Sequence, residues 1–314
     1  MLTYALKRLG TGLLTVYFIA TATFFAMHIV PGDPLTGNKA MRPEIRKNLE
    51  HKYGLDKPVL VQYGVFLGNM LKGDFGISFT QQNRLVNDII KDHFPVSAVL
   101  GVLALVVAAG GGILFGSLTA IFRGKLYDRS VMFLVILAIS VPGFVFAAFA
   151  QYLATRANGL AGRTLLPVGG WGTLRHMLLP AVVLGLGTMA YVTRLMRSSL
   201  LEIVHQDYIR TAKAKGLPGR RIFFSHQLRN AILPVVTILG PAIAGITTGG
   251  FVVETVFVIP GLGRYFVQAV QQLDYTVIMG LTVFYGAFLV FMVLVVDILY
   301  GFIDPRISLA KARS

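Results

Sequence analysis

The sequence predicts an all-α, polytopic membrane protein with six transmembrane helices and both termini in the cytoplasm. Three observations carry that expectation. Of the 314 residues, 55% are hydrophobic and 14% charged, against roughly 25% charged in soluble domains. Uncharged runs near the length that crosses a bilayer, about 20 residues, recur at Leu9–Gly32, Phe94–Phe122, Ser130–Thr155, Met177–Thr193, Asn230–Val253 and Tyr275–Val296. Between them, Lys and Arg gather on alternate connections when short loops are compared, as the positive-inside rule requires. The outside loop of residues 31–93, with nine basic residues against seven acidic, is long enough to weigh less in that rule.

The elements follow in order. Residues 1–30 read as an N-terminal transmembrane helix. Lys7 and Arg8 precede its apolar run, as in a signal peptide. The run exceeds the about 7 to 15 residues of a signal core, however, and Pro31-Gly32-Asp33-Pro34 offers no small-residue cleavage site. Residues 31–93 form an extracytoplasmic loop, with short helices expected at Pro43–Tyr53 and Pro58–Leu71 and then LKGDFGISF. The loop reads as a cap on the bundle, as a docking surface for a soluble partner, or as both.

Residues 94–306 hold the other five spans, and 307–314 a cytoplasmic tail. The fourth run is short, but a helix can extend it because Arg194 and Arg197 are long enough to snorkel. With the N-terminus inside, the inside connections carry Arg123, Lys125 and Arg129, the eight basic residues from Arg194 to Arg229, and Arg306, Lys311 and Arg313. The short outside connections carry only Arg156, Arg163, Arg175 and Arg264.

The cytoplasmic loop 198–231 contains YIRTAKAKGLPGRRIFFSHQLRNAILP, Tyr208 to Pro234. Asp207 is placed to cap a helix over Tyr208–Lys215, Gly216 supplies the left-handed residue that ends it, and Pro218 forbids continuation. A second short helix is expected over Arg220–Leu228. Thr211, Ala212, Ala214 and Gly216 let another backbone or groove come close, and Lys213, Lys215, Arg220 and Arg221 supply charge. Two readings stay open on the residues alone: a helix docked in a partner's groove, or a basic surface against anionic lipid.

Several classes are excluded or disfavoured. The net charge of +15 is distributed as topology requires rather than clustered on a soluble face, so no nucleic-acid partner is expected. With no cysteine there is no disulfide, thiolate metal site or cysteine nucleophile, and the scattered histidines have no metal-ligand spacing. No G-x-x-x-x-G-K-[ST] loop occurs, so ATP chemistry has no seat here. Mid-span carboxylates that would power a secondary transporter are lacking, as are a channel filter motif and a hydrolase constellation.

Gly112 and Gly116, and Gly245 and Gly249, are spaced for close helix packing, and for a moving pathway equally. Glu254 at the outer edge of the fifth span, followed by the breakers Pro260, Gly261 and Gly263 and an amphipathic Arg264–Leu273, marks a segment 254–275. It suits either structure and gating or contact with a substrate. Asp297 reads as a cap on helix contacts, as the partner of a basic residue or, less readily, as part of a proton relay, and His28 as an interfacial side chain.

The loop breaks the tie by resemblance. Thr211-Ala212-Lys213-Ala214-Lys215-Gly216-Leu217 and His226-Gln227-Leu228-Arg229-Asn230-Ala231-Ile232-Leu233-Pro234 resemble the cytoplasmic coupling ("EAA") loop of ABC importer permeases of the peptide/nickel subgroup. Arg210 and Thr211 depart from the Glu and Ala of the wider family. PGDPLTG (Pro31–Gly37), KYGLDKP (Lys52–Pro58) and GDFGISF (Gly73–Phe79) look like the external loop of the oligopeptide permease B subunit. VVETVFVIPGLGRYFVQAVQQLDY (Val252–Tyr275) looks like its external gate and Asp304-Pro305-Arg306 like its tail.

The resemblance covers nearly the whole chain. It implies a type I ABC importer permease fold in a bacterial inner membrane and half of a translocation pathway for oligopeptides, with dipeptides, nickel chelates or glutathione as alternatives. It implies coupling to the ATPase through Asp207, Tyr208, Arg210, Thr211, Ala212, Lys213, Ala214, Lys215 and Gly216, and gating by Glu254, Pro260, Gly261 and Gly263. It further implies a homologous second permease, two ATP-binding subunits that hold ATP and Mg, and an extracytoplasmic substrate-binding protein. No cofactor is expected in this chain.

Overall fold

A computed structural model describes residues 2–29, 47, 50–51, 54–81 and 83–303. The expected helix Pro43–Tyr53 falls almost wholly outside the described residues, as do Pro31–Gly37 and Asp304–Arg306. Regular structure among the described residues is helical, apart from one isolated antiparallel bridge between Ile77 and Leu85. The helices are α1 (Leu2–Ile29), α2 (Val59–Leu71), α3 (Val86–Ile121), α4 (Leu126–Ser140), α5 (Gly143–Ala161), α6 (Leu174–Ile203), α7 (Asp207–Ala214), α8 (Gly219–Ala231, π-helical over Ile222–Leu228), α9 (Leu233–Gly249), α10 (Phe251–Val256), α11 (Leu262–Gln272) and α12 (Tyr275–Ile303).

Four helices among the described residues, α1, α3, α6 and α12, are each long and apolar enough to cross a membrane, and two bent pairs raise the number to six if each pair is one span. The third expected run, Ser130–Thr155, is one of those pairs: α4 and α5 meet at 114°. Pro142 causes the break. Its ring disfavours the helical region for the residue before it, and Val141 is extended at φ −93°, ψ 129°. The fifth run is also composite, with α8 and α9 meeting at 41°, and Pro234 sits in the first turn of α9, where a missing N–H costs nothing. By contrast α3 begins at Val86 and α6 runs to Ile203, both beyond their uncharged runs, because polar residues continue a helix freely once it leaves the apolar layer.

The chain groups into two compact units, one of residues 1–96 and 260–314, the other of residues 97–259. In the first, α1 packs on α12 through glycines. A Cβ on Gly12 would stand 2.6 Å from Val290 Cγ1, and one on Gly286 2.7 Å from Ile19 Cδ1. Phe94 meets Phe284 and Phe288 of α12 edge-on, with ring centroids 4.9 and 5.0 Å apart, a favourable aromatic geometry.

In the second unit α6 is the hub. A Cβ on Gly112 would lie 2.5 Å from Val192 Cβ, one on Gly116 2.7 Å from the Thr193 carbonyl, and one on Gly185 2.5 Å from the Ala104 carbonyl. This is the close approach that small residues permit. A Cβ on Gly245 would meet nothing within 4 Å among the described residues. Val192, Met196 and Leu200 of α6 form a core with Ala231 and Val235. Arg197 of α6 donates to both carboxylate oxygens of buried Asp128 at 2.8 and 2.9 Å, fixing the start of α4 against α6.

Candidate functional site

The candidate coupling residues lie on α7 and its exit. Ile209 and Ala212, three apart and therefore on one face, are buried with Ile222 of α8, and Ile203 and Leu217 pack against them. Asp207, Tyr208, Arg210, Thr211, Lys213, Ala214, Lys215 and Gly216 are exposed. Ala212 is thus turned inward, a part of the anchor rather than of the outward face. Asp207, expected as the cap, stands inside the helix instead, while Gln206 takes the N-cap position without a side-chain hydrogen bond. The Asp207 carboxylate is in the first turn, where the helix dipole favours a negative charge, and lies 3.5 Å from Arg210 Nη1.

The helix ends as its sequence dictates. Gly216 has φ +73°, its N–H donates to the Lys213 carbonyl at 3.0 Å, and the Leu217 N–H donates to the Ala212 carbonyl at 3.3 Å. That pair of bonds is a Schellman closure, completed by the apolar contact of Leu217 with the Ala212 cluster. Asn230 Nδ2 donates to Tyr208 Oη at 3.2 Å, tying α7 to the end of α8. The π-helical turn between them, Ile222–Leu228, is of a kind often found at functional sites. The result is a short helix anchored on one face and presenting small and basic side chains on the other.

The segment 254–275 divides between the two units. In the second, Glu254 on α10 is 2% exposed, and Ser97 Oγ of α3 donates to its Oε1 at 2.6 Å. α10 closes with a second Schellman pair, Val258 N–H to Thr255 O at 3.2 Å and Ile259 N–H to Glu254 O at 2.8 Å. The left-handed position there is Val258, φ +54°, a conformation costly for a β-branched residue.

In the first unit Gly261 precedes α11 as its N-cap, Gly263 is buried, and the Pro260 carbonyl accepts from His93 Nδ1 at 2.9 Å. The His93 ring stacks on Tyr265 with centroids 4.0 Å apart. Asp274 was not singled out from the sequence. It is 1% exposed and accepts from the Ser78 hydroxyl, from Thr80 Oγ1 at 2.8 Å and from the Phe79 and Thr80 amides at 3.2 Å. The Val277 amide donates to it at 3.3 Å, the N-cap arrangement for α12. An Asp one residue before an apolar run was the available signal, but its partners Ser78, Phe79 and Thr80 are far away in sequence.

Two family profiles cover the chain almost end to end. Residues 1–101 match the N-terminal region of binding-protein-dependent transport system membrane components. Residues 112–309 match the binding-protein-dependent transport system inner membrane component. The chain belongs to that family.

Members of known kind align over their whole length. The dipeptide transport system permease protein DppB of Bacillus subtilis is 43% identical over 99% of both chains. The oligopeptide transport system permease protein OppB of Haemophilus influenzae is 42% identical over 98% of this chain and 99% of that one. OppB of Salmonella typhimurium is 39% identical over the same shares. As a binding-protein-dependent permease component, the chain is a multi-pass protein of the bacterial inner membrane and a conduit rather than a catalytic subunit. Among the described residues no group of three or more His, Asp or Glu side chains could hold a metal ion.

Proposed function

We propose that this chain is one of two permease subunits in an ATP-driven importer of peptides, with oligopeptides as its cargo. Relatives named for dipeptide and for oligopeptide transport stand within a point of each other in identity. Dipeptides are therefore the nearest alternative, ahead of nickel chelates or glutathione.

The observation that carries the reading is the build of α7. A groove-bound helix needs an anchored inner face and an accessible outer one, and Ile209 and Ala212 supply the first. Thr211, Lys213, Ala214, Lys215 and Gly216 supply the second, open to a cleft on an ATP-binding subunit. With ATP and Mg bound there, closure of two such subunits would push α7 and, through α8 and the Met196–Ala231 core, rock α6 and α9.

In this reading the α4–α5 and α8–α9 pairs each make one span, giving six with both termini cytoplasmic. A second, homologous permease completes the pathway. An extracytoplasmic binding protein delivers the peptide, and Glu254, Pro260, Gly261 and Gly263 belong to the external gate. Glu254, held by Ser97, would serve gating more readily than direct contact with cargo.

Gentle purification from the native membrane followed by mass spectrometry tests the assembly. Two phosphate-loop ATPases and a second permease of similar size are expected. Recovery as a lone chain or homo-oligomer, under conditions that preserve known complexes, would overturn it.

A further inference from the structure

α2 is built inside out for a helix in water. Its sequence, VLVQYGVFLGNML, contains no charge, and none of its residues is buried. Thirteen residues span about 20 Å, too short to cross a bilayer. A stretch of that length is more often a core helix or an interfacial one. The absence of buried residues removes the first option.

The polar side chains are on the packed side. Tyr63 Oη shares a hydrogen bond of 2.7 Å with Thr21 Oγ1, Gln62 Nε2 donates to the Lys57 carbonyl at 2.8 Å, and Gln62 Oε1 lies 3.3 Å from His28 Nε2. Phe66 stacks on Phe24 at 5.5 Å. Thr21, Phe24 and His28 all belong to the membrane-crossing part of α1, Leu6–Ile29, so α2 lies beside the C-terminal half of that span.

The opposite side is apolar and open. Leu60 is 75% and Leu71 83% exposed, Val61 and Val65 are exposed between them, and a Cβ on Gly64 or Gly68 would meet nothing within 4 Å. α1 likewise exposes apolar side chains, Leu13, Leu14, Phe18 and Ile29. Exposed Lys57 and Lys72 bracket the helix, placed to snorkel toward headgroups.

We propose that α2 is a membrane-interface helix, packed on α1 by Gln62, Tyr63 and Phe66 and presenting Leu60, Val61, Val65 and Leu71 to lipid acyl chains. It lies in the leaflet that holds the C-terminal half of α1. The inference stands on the membrane placement of the chain and not on its cargo. It gives the connection between the first two spans a lipid contact in place of, or beside, a role as a cap.

The absence of native cysteine makes the test direct. Leu60→Cys and Val65→Cys, each carrying a nitroxide, are purified with their co-purifying partners and reconstituted in phosphatidylethanolamine/phosphatidylglycerol vesicles. The unaltered chain supplies the labelling background. Power-saturation electron paramagnetic resonance then compares collisions with oxygen and with a water-soluble nickel chelate.

Oxygen accessibility several-fold above that of the chelate, matching a label at Leu13→Cys on α1, is expected. Chelate accessibility equal to or above oxygen would make the face aqueous and overturn the proposal. Low accessibility to both would mean a protein partner covers the face, and would overturn it equally. If one variant fails to insert, the other position decides.

Discussion

The carboxylate of Asp274 takes a hydrogen bond from Ser78, a residue 196 positions earlier in the chain. The same carboxylate caps α12, so one side chain fixes both the start of a membrane helix and the segment at residues 78–80. Asp274→Ala would take the acceptor from the buried Ser78 hydroxyl and Val277 amide, each costing about 1 to 3 kcal/mol, and from the half-buried Phe79 and Thr80 donors at less. A loss on the order of 3 kcal/mol is expected, read as a lower thermal midpoint in detergent and faster proteolysis near Ser78. Asp274→Asn, which keeps one acceptor oxygen, is expected to lose less. An unchanged midpoint for the alanine variant would show that the contact is not structural.

Two glycines of similar sequence context are expected to respond oppositely. Gly116→Ala forces a Cβ to within 2.7 Å of the Thr193 carbonyl, a backbone atom that cannot step aside, and overpacking of this kind costs about 1 to 3 kcal/mol. Gly245→Ala meets no atom of the described residues within 4 Å and gains up to about 1 kcal/mol of helix propensity. Thermal midpoints of the two variants side by side check this, and equal shifts would contradict the α3–α6 seam.

Val258 occupies a left-handed position that glycine normally fills at a helix end. Val258→Gly removes a strain of about 1 to 2 kcal/mol while losing only an exposed side chain. A raised thermal midpoint is expected. A fall would mean that the Val258 side chain has a packing or gating partner that outweighs the strain.

Much of the architecture was legible because apolar runs announce themselves. α6 and α12 each contain an expected span, α3 contains all of one but its last residue, Phe122, and α1 follows one as far as Ile29, the last described residue there. Pro142 was in plain view, yet an uncharged run was read through it, since composition records burial in lipid and not direction. Gly216 as the left-handed residue that ends α7 was readable because Gly216 and Pro218 are local signals, although the helix stops at Ala214, one residue short of the expected Lys215. Which alanine of Thr211-Ala212-Lys213-Ala214 faces inward depends on Ile209, whose three-residue spacing to Ala212 carried the answer but was not used. The pairings of Asp274 with Ser78 and of Asp128 with Arg197 could not be read, because tertiary packing alone brings these partners together.

The central claim is that the outer face of α7 transmits the work of an ATPase. The measurement that tests it most directly is ATP-driven uptake of a labelled oligopeptide into inner-membrane vesicles carrying Ala214→Arg. Uptake is normalised to the amount of inserted chain. Ala214 is exposed, so the arginine blocks a cleft without disturbing the fold, whereas Ala212→Arg would break the Ile209–Ile222 anchor and confuse the two effects. At least a tenfold loss of uptake is expected, with insertion and thermal midpoint unchanged. Uptake at the level of the unaltered chain would contradict the account.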